Sequence, residues 1–168
     1  MNDHRRTEPS RTADDRTSLT GFLQYQRETL ELKCAGLTAN QLRHKAVAPS
    51  GLSLIGLVRH TAEVERIWFQ AVWNGEDPGA YWPGTVNGTF AEFDSDEADP
   101  VEAFTVWRTA CARSREIVDA AGSLDATVKW RDELFSLRYI LTHMIEEYAR
   151  HNGHADLLRE RIDGSTGE

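Results

Sequence analysis

The chain has little of what marks a secreted, membrane-spanning or nucleic-acid-binding protein. It contains only two cysteines, Cys34 and Cys111, which lie far apart and form no CxxC pair. A disulfide framework is therefore not expected. No run approaches the roughly 20 apolar residues that a membrane span needs, and the first residues lack an apolar leader. The sequence therefore predicts a cytoplasmic protein with no membrane partner.

Positive charge is also scarce. The 168 residues include 27 acidic and 19 basic side chains, which gives a formal net charge of -8. Seven acidic residues and no Lys or Arg occur between positions 75 and 100. Such a surface repels phosphate backbones, so nucleic acid is not an expected partner. We interpret the acidic segment itself as a solvated surface.

Four long segments show the apolar spacing of amphipathic helices, with steps of three and four residues. The first runs from Leu19 to about Gly36 after an N-cap at Ser18, and its apolar stripe includes Phe22, Leu23, Leu30 and Cys34. The second is capped by Ser53 and runs from Leu54 to Trp73, the third from Pro100 to Gly122, and the fourth from its cap Ser136 to about Ile162.

The segments between these helices predict the architecture. Residues 1–17 contain almost no apolar side chains, which is typical of a disordered tail, so we expect one domain over residues 18–168. Residues 75–99 are rich in Pro and Gly and predict a long irregular connection between helices two and three. Residues 127–130 are extended at most. Together these features predict an all-α fold, a four-helix bundle with one long connection.

Polar side chains of the metal-ligand type interrupt the apolar stripes of two helices. His60 lies between Leu57 and Val64 on helix two, and Glu147 and His151 stand four residues apart on helix four. Residues four apart lie on the same helix face. Buried imidazoles and carboxylates need partners. One divalent ion could satisfy all three, because His nitrogen and Glu oxygen ligate zinc at about 2.0–2.2 Å.

The pattern alone leaves other interpretations open. Glu147 and His151 also fit an ordinary surface pair, and His60 also fits a hydrogen-bonded core histidine. His143, one turn before Glu147, and His154, three residues after His151, could join the site or support its ligands. The spacing over residues 143–147 approaches an inverted zinc-protease motif, but Glu occupies its final ligand position and no long downstream helix remains to supply a further ligand. We therefore do not expect a protease.

Two motifs in residues 19–168 resemble the DinB-like superfamily, in its branch related to mycothiol-dependent maleylpyruvate isomerase. They are GLVRHTAEVER at residues 56–66 and SLRYILTHMIEEYARHNGHADLLR at residues 136–159. The resemblance implies a four-helix bundle in which His60, Glu147 and His151 bind a divalent metal ion. Many relatives have His at the position of Glu147, whereas the isomerase pattern has Glu. Zinc suits two His and one Glu, with nickel, manganese or iron as alternatives.

The resemblance also implies a reaction. In such proteins the metal binds the sulfur of a low-molecular-weight thiol, such as mycothiol or bacillithiol, and the thiolate attacks a small electrophile in a transferase- or isomerase-like reaction. Four aromatic residues are expected to shape a nearby pocket: Trp68, Trp73, Tyr81 and Trp82. A homodimer is expected. The alternatives are a non-catalytic metal-binding or stress-associated protein, and an interaction bundle without metal.

Overall fold

The computed structural model describes residues 6–167, and this part of the chain is mostly helical, as the sequence predicts. Its α-helices are α1 (Asp15–Cys34), α2 (Ala39–Arg43), α3 (Leu54–Glu65), α4 (Pro100–Ala120) and α5 (Leu137–Asp163). Helix α3 continues directly into a π-helix over Arg66–Trp73. Strands β1 (Thr85–Val86) and β2 (Thr89–Phe90) form one antiparallel hairpin, and β3 (Thr127–Trp130) and β4 (Glu133–Ser136) form another. No helix within residues 6–167 is long and apolar enough to cross a membrane.

Side-chain caps determine where the long helices begin. The Ser53 hydroxyl accepts the Gly56 N–H at the start of α3, and the Ser136 hydroxyl accepts the Tyr139 N–H at the start of α5, both as predicted. Helix α1 differs from the prediction, because the Asp14 carboxylate accepts the Thr17 N–H at 2.9 Å and caps the helix. The helix therefore starts at Asp15, before the first apolar residue of its stripe.

This earlier start places part of the predicted tail inside α1. The first five residues of that tail lie outside the described residues. In its described part, the Thr7 N–H donates to the Glu28 carboxylate. At its other end, α1 stops at Cys34, and Gly36 follows with a positive φ of 76°. Disorder of the tail was wrong for Asp15 to Thr17, which are helical, and stays a prediction for the residues before them.

The connection between α3 and α4 is more ordered than the sequence indicated. Besides the first hairpin it contains a 3-10 turn over Ala91–Phe93 that packs against α3. The Arg59 guanidinium donates to the carbonyls of Ala91 (3.1 Å) and Asp94, and Arg43 Nε donates to the Ala98 carbonyl at 2.7 Å. The interpretation as a purely solvated surface was wrong for this part, because arginines of α2 and α3 bind its backbone.

The extended segment at residues 127–130 pairs with a second strand that the sequence did not reveal. Thr127 is opposite Ser136 and Trp130 is opposite Glu133 in a short antiparallel hairpin. Ser136 ends this hairpin and also caps α5. The hairpin therefore fixes the point at which α5 leaves the preceding chain.

The core lies between the four long helices. Helix α1 packs against α5, and α3 packs against α4 and α5. The fully buried side chains include Leu54, Ile55, Leu57, Ile140, Leu141 and Met144. Phe22 was predicted on the buried stripe of α1, but its side chain is half exposed, whereas Leu23, Leu30 and Cys34 are buried as predicted.

A buried polar network crosses this core. Arg27 of α1 makes two hydrogen bonds of 2.7 Å with the Glu65 carboxylate at the end of α3. The Tyr148 hydroxyl of α5 donates to the same carboxylate at 2.9 Å, and Trp107 Nε1 of α4 donates to that hydroxyl at 2.9 Å. The network joins all four long helices and fixes α3 beside α5.

Candidate metal centre

His60, Glu147 and His151 meet between α3 and α5. Glu147 Oε1 lies 3.0 Å from His60 Nε2 and 3.2 Å from His151 Nε2. One ligand-type atom from each residue lies within 4.8 Å of the other two. The side chains are 18%, 16% and 12% exposed for His60, Glu147 and His151. A single carboxylate oxygen thus faces two imidazole nitrogens in a partly buried position.

The electrostatics keep Glu147 in its charged form. Hydrogen bonds from His151 and from His60 hold the pKa of the Glu147 carboxyl well below its usual range, although partial burial opposes this shift. A deprotonated carboxylate beside two imidazoles is the form in which these residues ligate metal ions.

The donor set and its spacing fit one divalent ion. Ligand atoms at about 2.1 Å from a tetrahedral zinc ion are roughly 3.4 Å apart. The two shorter separations in the cluster, 3.0 and 3.2 Å, are already close to that value. Small side-chain movements would therefore be enough for the three atoms to surround an ion.

Each histidine of the cluster also has a partner on its second nitrogen. His60 Nδ1 lies 3.5 Å from Glu92 Oε1, and His151 Nδ1 lies 3.4 Å from His154 Nδ1. Burial and the neighbouring His151 and Arg150 lower the pKa of His154, which favours its neutral ring. Of the two interpretations left open for His154, the structure matches a supporting position beside His151.

Glu92 and Phe93 were missed by the sequence analysis. The Phe93 ring stacks on the His60 ring with a centroid distance of 4.7 Å and an interplanar angle of 26°. Both residues belong to the 3-10 turn of the connection, where no apolar periodicity exists to predict which side chain turns inward. The only signal was an acidic residue next to an aromatic one, which many solvated loops share.

His143 contributes to an aromatic group instead of the cluster. Its ring lies 4.5 Å from the Trp68 ring and stacks on Tyr139 at 6.2 Å with an interplanar angle of 7°. Phe135 completes this group through its contacts with Trp68 and Tyr139. Its two members on α5, Tyr139 and His143, lie two turns and one turn before Glu147.

The four aromatic residues that were expected to shape one pocket lie in different surroundings. Trp68, in the π-helix, belongs to the aromatic group with His143 just described. The backbone N–H groups of Tyr81 and Trp82 instead donate to the Glu63 carboxylate at 2.6 and 2.8 Å. The Trp82 ring also lies under the Arg59 guanidinium, 4.6 Å from its carbon. Trp73 packs against the hydrophobic core.

Comparisons with known proteins agree with this architecture. The chain is similar to a solved structure described as "conserved protein of locus from Enterococcus faecalis", with a TM-score of 0.71 and 17% sequence identity. The similarity covers 92% of this chain and 100% of that chain, and at this identity it shows the fold alone. No curated protein matches the chain. The family model described as "Mycothiol-S-transferase" matches residues 18–164, which is nearly the whole chain. The chain therefore belongs to the mycothiol-S-transferase family, within the DinB-like proteins.

Proposed function

We propose that the chain is a divalent-metal-dependent thiol S-transferase that uses mycothiol or a similar low-molecular-weight thiol. The observation that carries the proposal is the family match over residues 18–164 together with the convergence of His60, Glu147 and His151. We propose these three residues as the metal ligands. Zinc is the proposed ion, because two imidazoles and one carboxylate form a ligand set typical of catalytic zinc.

The chemistry requires a sulfur nucleophile near neutral pH. A bound divalent ion would lower the pKa of a thiol and so supply a thiolate. His60 and His151 would contribute neutral nitrogen ligands to that ion, and Glu147 would contribute one negative charge. In the transfer, the thiol proton is released to solvent and the thiol sulfur bonds to an electrophilic carbon. The leaving group on that carbon departs with its bonding electrons, as chloride does from monochlorobimane.

The two cysteines of the chain are poor candidates for that nucleophile. Both are buried, and burial raises the pKa of the Cys34 thiol to about 12. Burial and the neighbouring Glu65 carboxylate raise the pKa of the Cys111 thiol. An external thiol is therefore the better source of the reacting sulfur. Two free cysteines also support the proposal of a reducing, cytoplasmic compartment.

We also propose a more specific architecture for the helical fold. The packing of α1 on α5 and of α3 on α4 and α5 supports a four-helix bundle of the DinB type, in one domain that includes the whole of α1 from Asp15. The homodimer that the resemblance implies stays a prediction, which light scattering on the purified protein tests.

The proposed function is tested by a conjugation assay. Full-length protein loaded with zinc, and separately with nickel, manganese or iron, is incubated with mycothiol or bacillithiol and monochlorobimane, and fluorescence is followed. We expect His151→Ala to reduce conjugation to the uncatalysed rate. His44→Ala, a substitution at an exposed histidine, is the matched control and retains the wild-type rate.

The outcomes separate the candidate functions. Equal rates for the wild type and His151→Ala contradict the proposed transferase. Metal-dependent melting without conjugation for any thiol and metal would favour the alternative of a non-catalytic metal-binding protein.

A further inference from the structure

The connection between α3 and α4 brings a carboxylate to the outer side of His60. His60 Nε2 faces Glu147 Oε1 at 3.0 Å, and its other nitrogen, Nδ1, faces Glu92 Oε1 at 3.5 Å. Glu92 is not among the residues whose ligand atoms cluster within 4.8 Å. Glu92 therefore faces the nitrogen of His60 that points away from the cluster, and we call a residue in this position the outer partner of a ligand.

We propose that Glu92 is a positioning residue, which orients the His60 ring and accepts a hydrogen bond from its Nδ1–H when Nε2 ligates the ion. This inference rests on the proposed metal site. A neutral imidazole carries one proton, and the nitrogen without the proton is the one that ligates. With an ion in the cluster, the Nε2 lone pair would ligate it, and the single ring proton would be on Nδ1, where it can donate to Glu92. A carboxylate on the outer nitrogen also raises the basicity of the ligating nitrogen.

The backbone around Glu92 is held in place independently of any ion. Arg59, the residue before His60, donates to the carbonyls of Ala91 and Asp94 on both sides of Glu92. The Phe93 ring stacks on the His60 ring. These contacts tie the turn to the same stretch of α3 that carries His60.

The turn that carries Glu92 packs directly against α3. A Cβ atom added to Gly56 would lie 3.6 Å from Phe93 Cα, so the turn approaches the α3 backbone closely. The Glu92 side chain is only 12% exposed. A carboxylate at this depth needs a polar partner, and His60 supplies one.

The second histidine of the cluster provides an internal comparison. The outer partner of His151 is the imidazole of His154, whereas the outer partner of His60 is a carboxylate. A neutral imidazole accepts a hydrogen bond but contributes no negative charge. Loss of Glu92 is therefore expected to weaken metal binding more than loss of His154.

The test measures zinc affinity of the full-length protein by competition with a chromogenic chelator. Removal of an outer partner typically costs 10–100-fold in metal affinity, so we expect Glu92→Ala to bind zinc about 10-fold more weakly or worse. Glu92→Gln keeps the acceptor oxygen without the charge and is expected to fall between Glu92→Ala and wild type. Glu97→Gln, at an exposed acidic residue of the same connection, is the matched control.

A spectroscopic readout separates positioning from a general loss of structure. In zinc-loaded protein labelled with 15N-histidine, the His60 Nδ1–H is expected to be protected from exchange with water in the wild type. In Glu92→Ala it should exchange faster, while the His151 signal is unchanged. Should Glu92→Ala not fold by circular dichroism, the comparison is made on Glu92→Gln.

His151→Ala makes the possible failures distinguishable. If His151→Ala weakens zinc binding while Glu92→Ala stays within about twofold of wild type, the role of Glu92 is overturned and the metal site stands. The same holds if the His60 Nδ1–H exchanges no faster in zinc-loaded Glu92→Ala than in the wild type. If His151→Ala binds zinc as wild type does, the metal site and the role of Glu92 both fall.

Discussion

The ion pair between Arg27 and Glu65 gives a quantitative test of how the helices are held together. Arg27 is 4% exposed and Glu65 is 0% exposed, and both bonds between them are 2.7 Å long. Removal of one partner of a buried pair leaves the other charge without compensation, at a cost of about 3–5 kcal/mol. We expect this loss in the free energy of unfolding for Arg27→Met and for Glu65→Gln separately.

The double variant should behave differently. Arg27→Met with Glu65→Gln removes both charges and keeps an amide oxygen that can accept from the Tyr148 hydroxyl. Replacement of a whole buried pair by neutral groups is often close to neutral, so the double variant should be more stable than either single variant. The double-mutant cycle then has a coupling free energy of about 3 kcal/mol or more.

Urea unfolding and thermal melting measure these differences. For a domain of this size, 1 kcal/mol corresponds to about 2–4 °C in melting temperature, so each single variant should melt roughly 6–20 °C below wild type. The reasoning is refuted if the single variants lie within about 1 kcal/mol of wild type, or if their effects add in the double variant. Either result would mean that the pair is solvated or dispensable.

Three further outcomes follow from the same structure. Burial raises the pKa of Glu65, but the Arg27 charge and hydrogen bonds outweigh burial and hold that pKa below its usual value. The stabilisation is therefore present above the unfolded pKa of about 4.3 and is lost as the pH falls further. As the pH is lowered from about 7 to about 3, the melting temperature should fall less steeply for Glu65→Gln than for wild type. Tyr148→Phe leaves the Trp107 N–H unpaired in the core and should cost about 1–3 kcal/mol in urea unfolding, and an unchanged midpoint would contradict this. Free zinc at 100-fold above its Kd should stabilise the wild type by about 2.7 kcal/mol, or roughly 5–10 °C, and His60→Ala should show no such shift.

Most helices of the fold could be predicted because their signals are local. Ser53 and Ser136 cap helices at the predicted positions, since a hydroxyl before an amphipathic stripe satisfies free N–H groups. The start of α1 was placed too late because Asp14 precedes the apolar stripe that defined the helix. The strand Glu133–Ser136 was missed because its pairing depends on the segment opposite, not on a pattern of its own.

The residues of the candidate site also differ in whether a local pattern could predict them. His60, Glu147 and His151 could be proposed together because each replaces an apolar residue on a periodic stripe, and the structure brings them within 4.8 Å of one another. Glu92 could not be proposed, because its position depends on the hydrogen bonds of Arg59 to a turn 32 residues away from His60. The apolar pattern of a helix can therefore indicate a metal ligand on that helix. It cannot indicate the outer partner of that ligand when the partner lies in an irregular connection.

The most direct test of the account is the zinc content of the purified full-length protein. After incubation with zinc and dialysis, elemental analysis should find one zinc ion per chain in the wild type and in His143→Ala, whose substitution lies in the aromatic group outside the cluster. His60→Ala, Glu147→Ala and His151→Ala should each lose that ion. A wild-type protein without stoichiometric metal, or the same content in all three variants, would contradict the proposed metal centre.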